Sequence, residues 1–147
     1  MANVLIVYHS GTGKTRQMAD LVAEGARSVE GTQVEVAPAA GLDVARIVKA
    51  DGVALGSPDY FSYVAGEIKT VFDLLLAQKD TLQDKPFVGF GSHGGGGKVL
   101  GCIETLAGRV GLARVCEGVM SLNAPAGETA EACRELGKVL ADAVVNR

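Results

Sequence analysis

The stretch Val4-Leu5-Ile6-Val7-Tyr8-His9-Ser10-Gly11-Thr12-Gly13-Lys14-Thr15 constrains the fold of this chain more than any other. A short apolar run ends in a turn rich in glycine and hydroxyls. A helical pattern follows at once, from about Arg16 to Ser28, with Met18, Leu21, Val22 and Ala26 on one stripe. The order is therefore buried strand, loop, helix N-terminus. The first turn of a helix has unpaired N–H groups and the positive end of the dipole. Gly11 and Gly13 let the backbone approach a ligand, and Ser10, Thr12 and Thr15 add hydroxyls. Such a loop is expected to hold a phosphate.

Two glycine-rich phosphate motifs do not fit. Gly13-Lys14-Thr15 resembles the end of a Walker A loop, but the glycine required five residues earlier is replaced by Tyr8. The dinucleotide fingerprint needs three glycines at set spacing; Gly11 and Gly13 supply two, and Met18 and Ala19 break the rest.

The rest of the chain repeats the strand-helix alternation. Gln33 to Val36 alternates like an edge strand, and Asp43 caps a short helix through Val44, Ile47 and Val48. Gly52 to Gly56 is a small apolar strand, Ser57 to Tyr63 a loop, and about Gly66 to Gln78 a helix. Pro86 to Gly91 is the fourth strand, Ser92 to Gly97 the next loop, and about Lys98 to Val110 a helix. Arg114 to Val119 is the fifth strand and about Glu128 to Val145 the last helix. This alternation predicts an α/β fold with a doubly wound parallel sheet and helices on both faces. If the loops after strands one, three and four meet at the carboxyl edge, the strand order must be 2-1-3-4-5.

At 147 residues, 48% of them apolar, residues 1–147 are expected to form a single domain with a sizeable core. The net charge of −3, with no basic run, argues against nucleic acid. No apolar run approaches a membrane span, and no signal peptide is expected because Met1 leads straight into a strand. Cys102, Cys116 and Cys133 are odd in number and lack metal-ligand spacing, so three reduced, mostly buried thiols in a cytoplasmic protein are expected. With only His9 and His93, no metal site is expected.

Along essentially its full length the chain resembles the flavodoxin-like FMN-binding family, short-chain flavodoxins in particular. Ser10-Gly11-Thr12-Gly13-Lys14-Thr15 fits the flavodoxin phosphate loop Ser/Thr-x-Thr-Gly-x-Thr at every fixed position. Gly56-Ser57-Pro58-Asp59-Tyr60-Phe61 stands where the family places a loop beside the isoalloxazine ring. Ser92-His93-Gly94-Gly95-Gly96-Gly97 stands where it covers the other side. The chain has no Trp, and its second ring loop is four glycines. In these respects it looks more like NAD(P)H:quinone oxidoreductases of the same fold.

The resemblance implies FMN as cofactor, with cofactor-binding residues Ser10, Gly11, Thr12, Gly13, Lys14, Thr15, Ser57, Pro58, Asp59, Tyr60, Phe61, Ser92, His93, Gly94, Gly95, Gly96 and Gly97. Lys14 either neutralises the phosphate or is a solvated lysine at a helix start. Thr12 and Thr15 bind phosphate, cap the helix, or do both. At least one of Tyr60, Phe61 and Tyr63 is expected to stack on the ring, against the alternative that Phe61 is core and Tyr60 plain surface. His93 either lies near the ring or is an exposed loop histidine. No catalytic side chain is required, since a flavin carries its own chemistry. The expected function is electron transfer between redox partners, in a monomer or small homo-oligomer without membrane insertion. The alternative is an FMN-dependent NAD(P)H:quinone-type reductase acting on a small quinone or nicotinamide substrate.

Overall fold

The computed structural model describes all 147 residues. Strands β1 (Ala2–Tyr8), β2 (Thr32–Pro38), β3 (Gly52–Pro58), β4 (Pro86–His93), β5 (Ala113–Arg114) and β6 (Val119–Leu122) form one parallel sheet. Helices α1 (Lys14–Arg27), α2 (Ala45–Lys49), α3 (Gly66–Leu76), α4 (Lys79–Leu82), α5 (Val99–Arg109) and α6 (Gly127–Val145) connect and flank them. The strand order β2-β1-β3-β4-β5 is the expected 2-1-3-4-5, with β6 also paired to β4.

Side-chain alternation along the strands divides the core in two. Leu5, Val7, Val53, Leu55 and Phe87 face Ile47 of α2, Ile68 and Phe72 of α3, and Ile103 of α5. Val4, Ile6, Ala54, Val88 and Phe90 face Met18 and Val22 of α1 and Leu136 and Leu140 of α6. On that second side α1 and α6 touch backbone to backbone. A Cβ at Gly25 would lie 1.8 Å from the Arg134 carbonyl oxygen, and one at Gly137 1.8 Å from that of Val22. Only glycine fits at either crossing point.

The fifth strand differs from expectation. In place of one strand from Arg114 to Val119, two short strands lie end to end along β4. Arg114 stands opposite Phe87, and Val119 opposite Phe90. The outer chain therefore carries more residues than β4 over the same span and bulges out between them. At its return, Gly118 presses on β4 so closely that a Cβ would meet the Gly89 carbonyl oxygen at 2.4 Å. Strands β3 and β4 also run further than expected. Ser57 pairs with Gly91 and Pro58 with Ser92, so these residues end strands instead of opening loops. The helix expected to reach Gln78 stops at Leu76, and α4 follows it.

Lys85, at the foot of β4, is the one buried charged side chain. Its ammonium donates to the carbonyls of Val48, at 3.1 Å, and Ala50, at the end of α2. Burial pushes its pKa down, partly offset by Asp51.

Candidate functional site

At the carboxyl edge of the sheet the loop after β1 enters α1 through Gly13, in the left-handed region at φ 95°. Glycine takes that conformation without steric cost. The Ser10 hydroxyl accepts from the Gly13 amide at 3.0 Å and from the Arg16 amide at 3.4 Å, which closes the turn. Gly13, the N-cap residue, has no side chain to cap the helix, and the first turn holds no acidic residue. Helix geometry leaves the Lys14 and Thr15 amides without an intrahelical acceptor. Thr12 is exposed above them and does not cap the helix. Thr15 is buried, its hydroxyl 2.8 Å from that of Ser92, which ties the loop to the end of β4. Two residues expected at the site thus meet each other.

The second loop leaves β3. Tyr60 and Tyr63 exchange backbone hydrogen bonds of 2.9 and 3.0 Å, with Phe61 and Ser62 at the tip at φ 57° and 64°. Phe61 is 103% exposed, so it is not core. Tyr60 folds over the phosphate loop: a Cβ on Gly11 would lie 2.3 Å from its hydroxyl oxygen. Its ring also meets His9 edge-on, with centroids 5.9 Å apart. The His9 Nδ1 is 2.7 Å from the Glu67 carboxylate at the start of α3. Ser57 is buried and its hydroxyl accepts from the Ala65 amide, so it braces the entry to α3.

The glycine loop faces this turn. Asp59 joins the two: its amide donates to the Ser92 carbonyl at 2.8 Å, and its carboxylate accepts from the amides of Ser62, Lys98 and Val99. Gly94 to Gly97 are exposed. His93 pairs with Leu122 at the end of the sheet, and its Nδ1 accepts from the Gly95 amide at 3.0 Å, folding the imidazole back onto its own loop. A cleft of about 400 Å³ runs along the β2 side of the phosphate loop, lined by His9, Ser10, Gly13, Arg16 and Glu67 among others.

The structure adds residues that the sequence reading missed. Asn123, after β6, donates its amide to the His93 carbonyl at 2.8 Å. Its side-chain oxygen accepts from the Lys14 ammonium at 3.4 Å. The Lys14 side chain therefore reaches across to the loop after β6. The Ser121 hydroxyl fixes the Asn123 carbonyl at 2.8 Å. The one available signal was an asparagine just past a strand, a residue that tolerates the left-handed φ of 62° found there. Nothing in the sequence pointed to the His9–Glu67 pair. Of the three cysteines only Cys133 is buried, and burial pushes its thiol up to about 11. Cys102 and Cys116 are half-buried, so the expectation of mostly buried thiols holds for one of them.

A helix N-terminus that only the Ser10 hydroxyl touches, hydroxyls and glycines beside it, and two facing loops suit one phosphate attached to a flat, partly apolar group. The donors present fit the phosphate and ring of FMN. The family model described as Flavodoxin matches residues 6–137. The flavodoxin of Aquifex aeolicus is 33% identical over 160 aligned positions, covering 97% of this chain and 86% of that one. A flavodoxin from the domain Archaea superposes with a TM-score of 0.90 at 24% identity, covering 97% of this chain and 99% of the other, a likeness of fold. Oxidised flavodoxin 2 from Bacillus cereus superposes with a TM-score of 0.86 at 25% identity, covering 97% and 99%. The chain belongs to the flavodoxin family, whose members are FMN-binding electron-transfer flavoproteins.

Proposed function

We propose that FMN lies in the crevice between the phosphate loop, the Tyr60–Tyr63 turn and the glycine loop, and that this protein carries electrons between redox proteins in the cytoplasm. The observation that carries the reading is the open N-terminus of α1, which no acidic side chain fills. Bound there, FMN supplies the redox chemistry.

The chain's own residues bind and shape. The amides of the first turn of α1 and the hydroxyls of Ser10 and Thr12 receive the phosphate, and the dipole of α1 favours its charge. Lys14, steadied by Asn123, adds a cation. Thr15 contributes its amide, while its hydroxyl anchors the loop to Ser92. The backbones of Tyr60 and Phe61 would take one side of the ring and those of His93 and Gly94 to Gly97 the other, with Asp59 and Ser92 hydrogen-bonded to each other where the two loops leave the sheet. Pro58 fixes the entry to the first of these. Tyr60, packed over Gly11, would cover the loop that holds the phosphate.

One observation favours the alternative, an NAD(P)H:quinone-type reductase. Four successive exposed glycines leave no side chain over the crevice, and a second substrate then has room to reach a ring. Absorbance of the purified protein, followed by anaerobic reduction, tests both readings. The expected protein is yellow, releases FMN and not FAD on heating, and accepts electrons from dithionite in two separate one-electron steps. It should not bleach with NADH or NADPH alone. A colourless protein that takes up no added FMN overturns the reading, and direct bleaching by a nicotinamide favours the reductase.

A further inference from the structure

Asp59 holds the crevice together. Its Oδ1 accepts from the Ser62 amide at 2.8 Å, fixing the strained tip of the Tyr60–Tyr63 turn. Its Oδ2 accepts from the Lys98 amide at 2.8 Å and the Val99 amide at 3.1 Å, at the N-terminus of α5. Its own amide reaches the Ser92 carbonyl at 2.8 Å. One carboxylate thus joins both loops assigned to the ring, with each of its oxygens engaged by backbone amides.

The same contact has an electrostatic side. Helix α5 starts at the crevice, and its positive end carries about half an elementary charge. The Asp59 carboxylate covers that end with an internal anion. Without it, two unpaired amides and an uncompensated dipole would open between the loops and favour negative charge there.

We infer that the Asp59 side chain is a positioning residue for the flavin, setting the spacing of the two ring loops and cancelling the field of α5 where the ring lies. The inference rests on the placement of FMN proposed above.

Asp59→Asn tests it. The amide oxygen can accept from one side of the staple only, and the charge is gone. In the FMN-free protein, hydrogen exchange at the Ser62, Lys98 and Val99 amides should quicken by about tenfold at one side of the staple or both. The FMN dissociation constant should rise by about tenfold. The equilibrium constant for uptake of the second electron should rise by about tenfold, which is about 59 mV upward for one electron. A residue that only stabilised the fold would not move that potential in one fixed direction. Asp59→Glu keeps the charge but changes the reach: the potential should return toward the wild-type value while FMN binding stays weakened.

Wild-type amide exchange, FMN affinity and potential in a folded Asp59→Asn protein would overturn the inference while leaving the FMN reading intact. If Asp59→Asn does not fold, Asp59→Glu decides: unchanged affinity and exchange overturn the inference. A wild-type protein that takes up no FMN overturns the reading and the inference together.

Discussion

Helices α1 and α5 start at the same edge of the sheet, and their first turns are finished in different ways. At α1 the chain enters through a left-handed glycine, and no acidic side chain covers the amides. At α5 a carboxylate from another loop, Asp59, accepts from the amides of the N-cap residue Lys98 and the first helical residue Val99. Both ends have the same unpaired donors and the same dipole. The difference teaches that a helix N-terminus is a site only when the rest of the fold leaves it unfilled. Here one end is left without an acidic partner, and the other is covered by a carboxylate that joins two loops.

The largest effect is expected from damage to the open end. Gly13→Val forces a β-branched residue to φ 95°, a strain of about 1–3 kcal/mol or more, in the backbone proposed to hold the phosphate. FMN titration followed by fluorescence should show binding weakened at least a hundredfold. Tight binding by this variant would mean that the phosphate is not held at α1.

Next comes Thr12→Ala, which removes one hydroxyl hydrogen bond to a charged group, about 1.5–3 kcal/mol, or roughly ten- to a hundredfold in the dissociation constant. An effect equal to that of Gly13→Val, or none, would break the comparison, because the backbone and not the hydroxyl should dominate.

Lys14→Glu would make the open end more like the closed one, with a carboxylate in the first turn of α1 and the tie to Asn123 lost. FMN binding should weaken by about tenfold at low salt and by less at high salt, since exposed charges are screened. Lys14→Gln should lie between this variant and the wild type.

The smallest effect concerns the closed side. The Cys102 thiol donates to the Ser62 carbonyl, at 3.6 Å, behind the staple. Cys102→Ala should lower thermal stability by less than about 1 kcal/mol, since a thiol is a weak donor. Alkylation at pH 8 should reach half-buried Cys102 well before Cys133, whose thiol at about 11 is almost wholly protonated there. Equal labelling rates in mass spectrometry would mean that α6 opens as readily as the site edge.

Much of this was legible in the chain because it depends on local chemistry. The run Val4 to Val7 reads as a buried strand from its apolarity. The spacing of Ser10, Gly11, Thr12 and Gly13 reads as a phosphate loop because a turn before a helix requires those residue types. The bulge that splits the last strand was not legible. It depends on how closely Gly118 can approach the backbone of β4, a distance between segments remote in sequence. The exposure of Phe61 escaped for a similar reason. Its type left it between stacking on a ring and joining the core, and the Asp59–Ser62 contact and the Tyr60–Tyr63 bonds turn it outward, which removes the core alternative.

The alternation of strand and helix and the match of Ser10 to Thr15 to a phosphate-loop motif were legible in the sequence alone, whereas the order 2-1-3-4-5 was only what convergence of three loops would require. These follow from periodicity, turn chemistry and the rules for connecting parallel strands. Only the tertiary structure decided what fills each helix end, where Tyr60 lies, and which groups hold Lys14 and His9. Those outcomes depend on contacts between residues far apart in the chain, such as Lys14 with Asn123, Thr15 with Ser92 and Asp59 with Lys98. A hydrogen bond forms where the packed sheet brings donor and acceptor within about 3 Å, and no local pattern carries that distance.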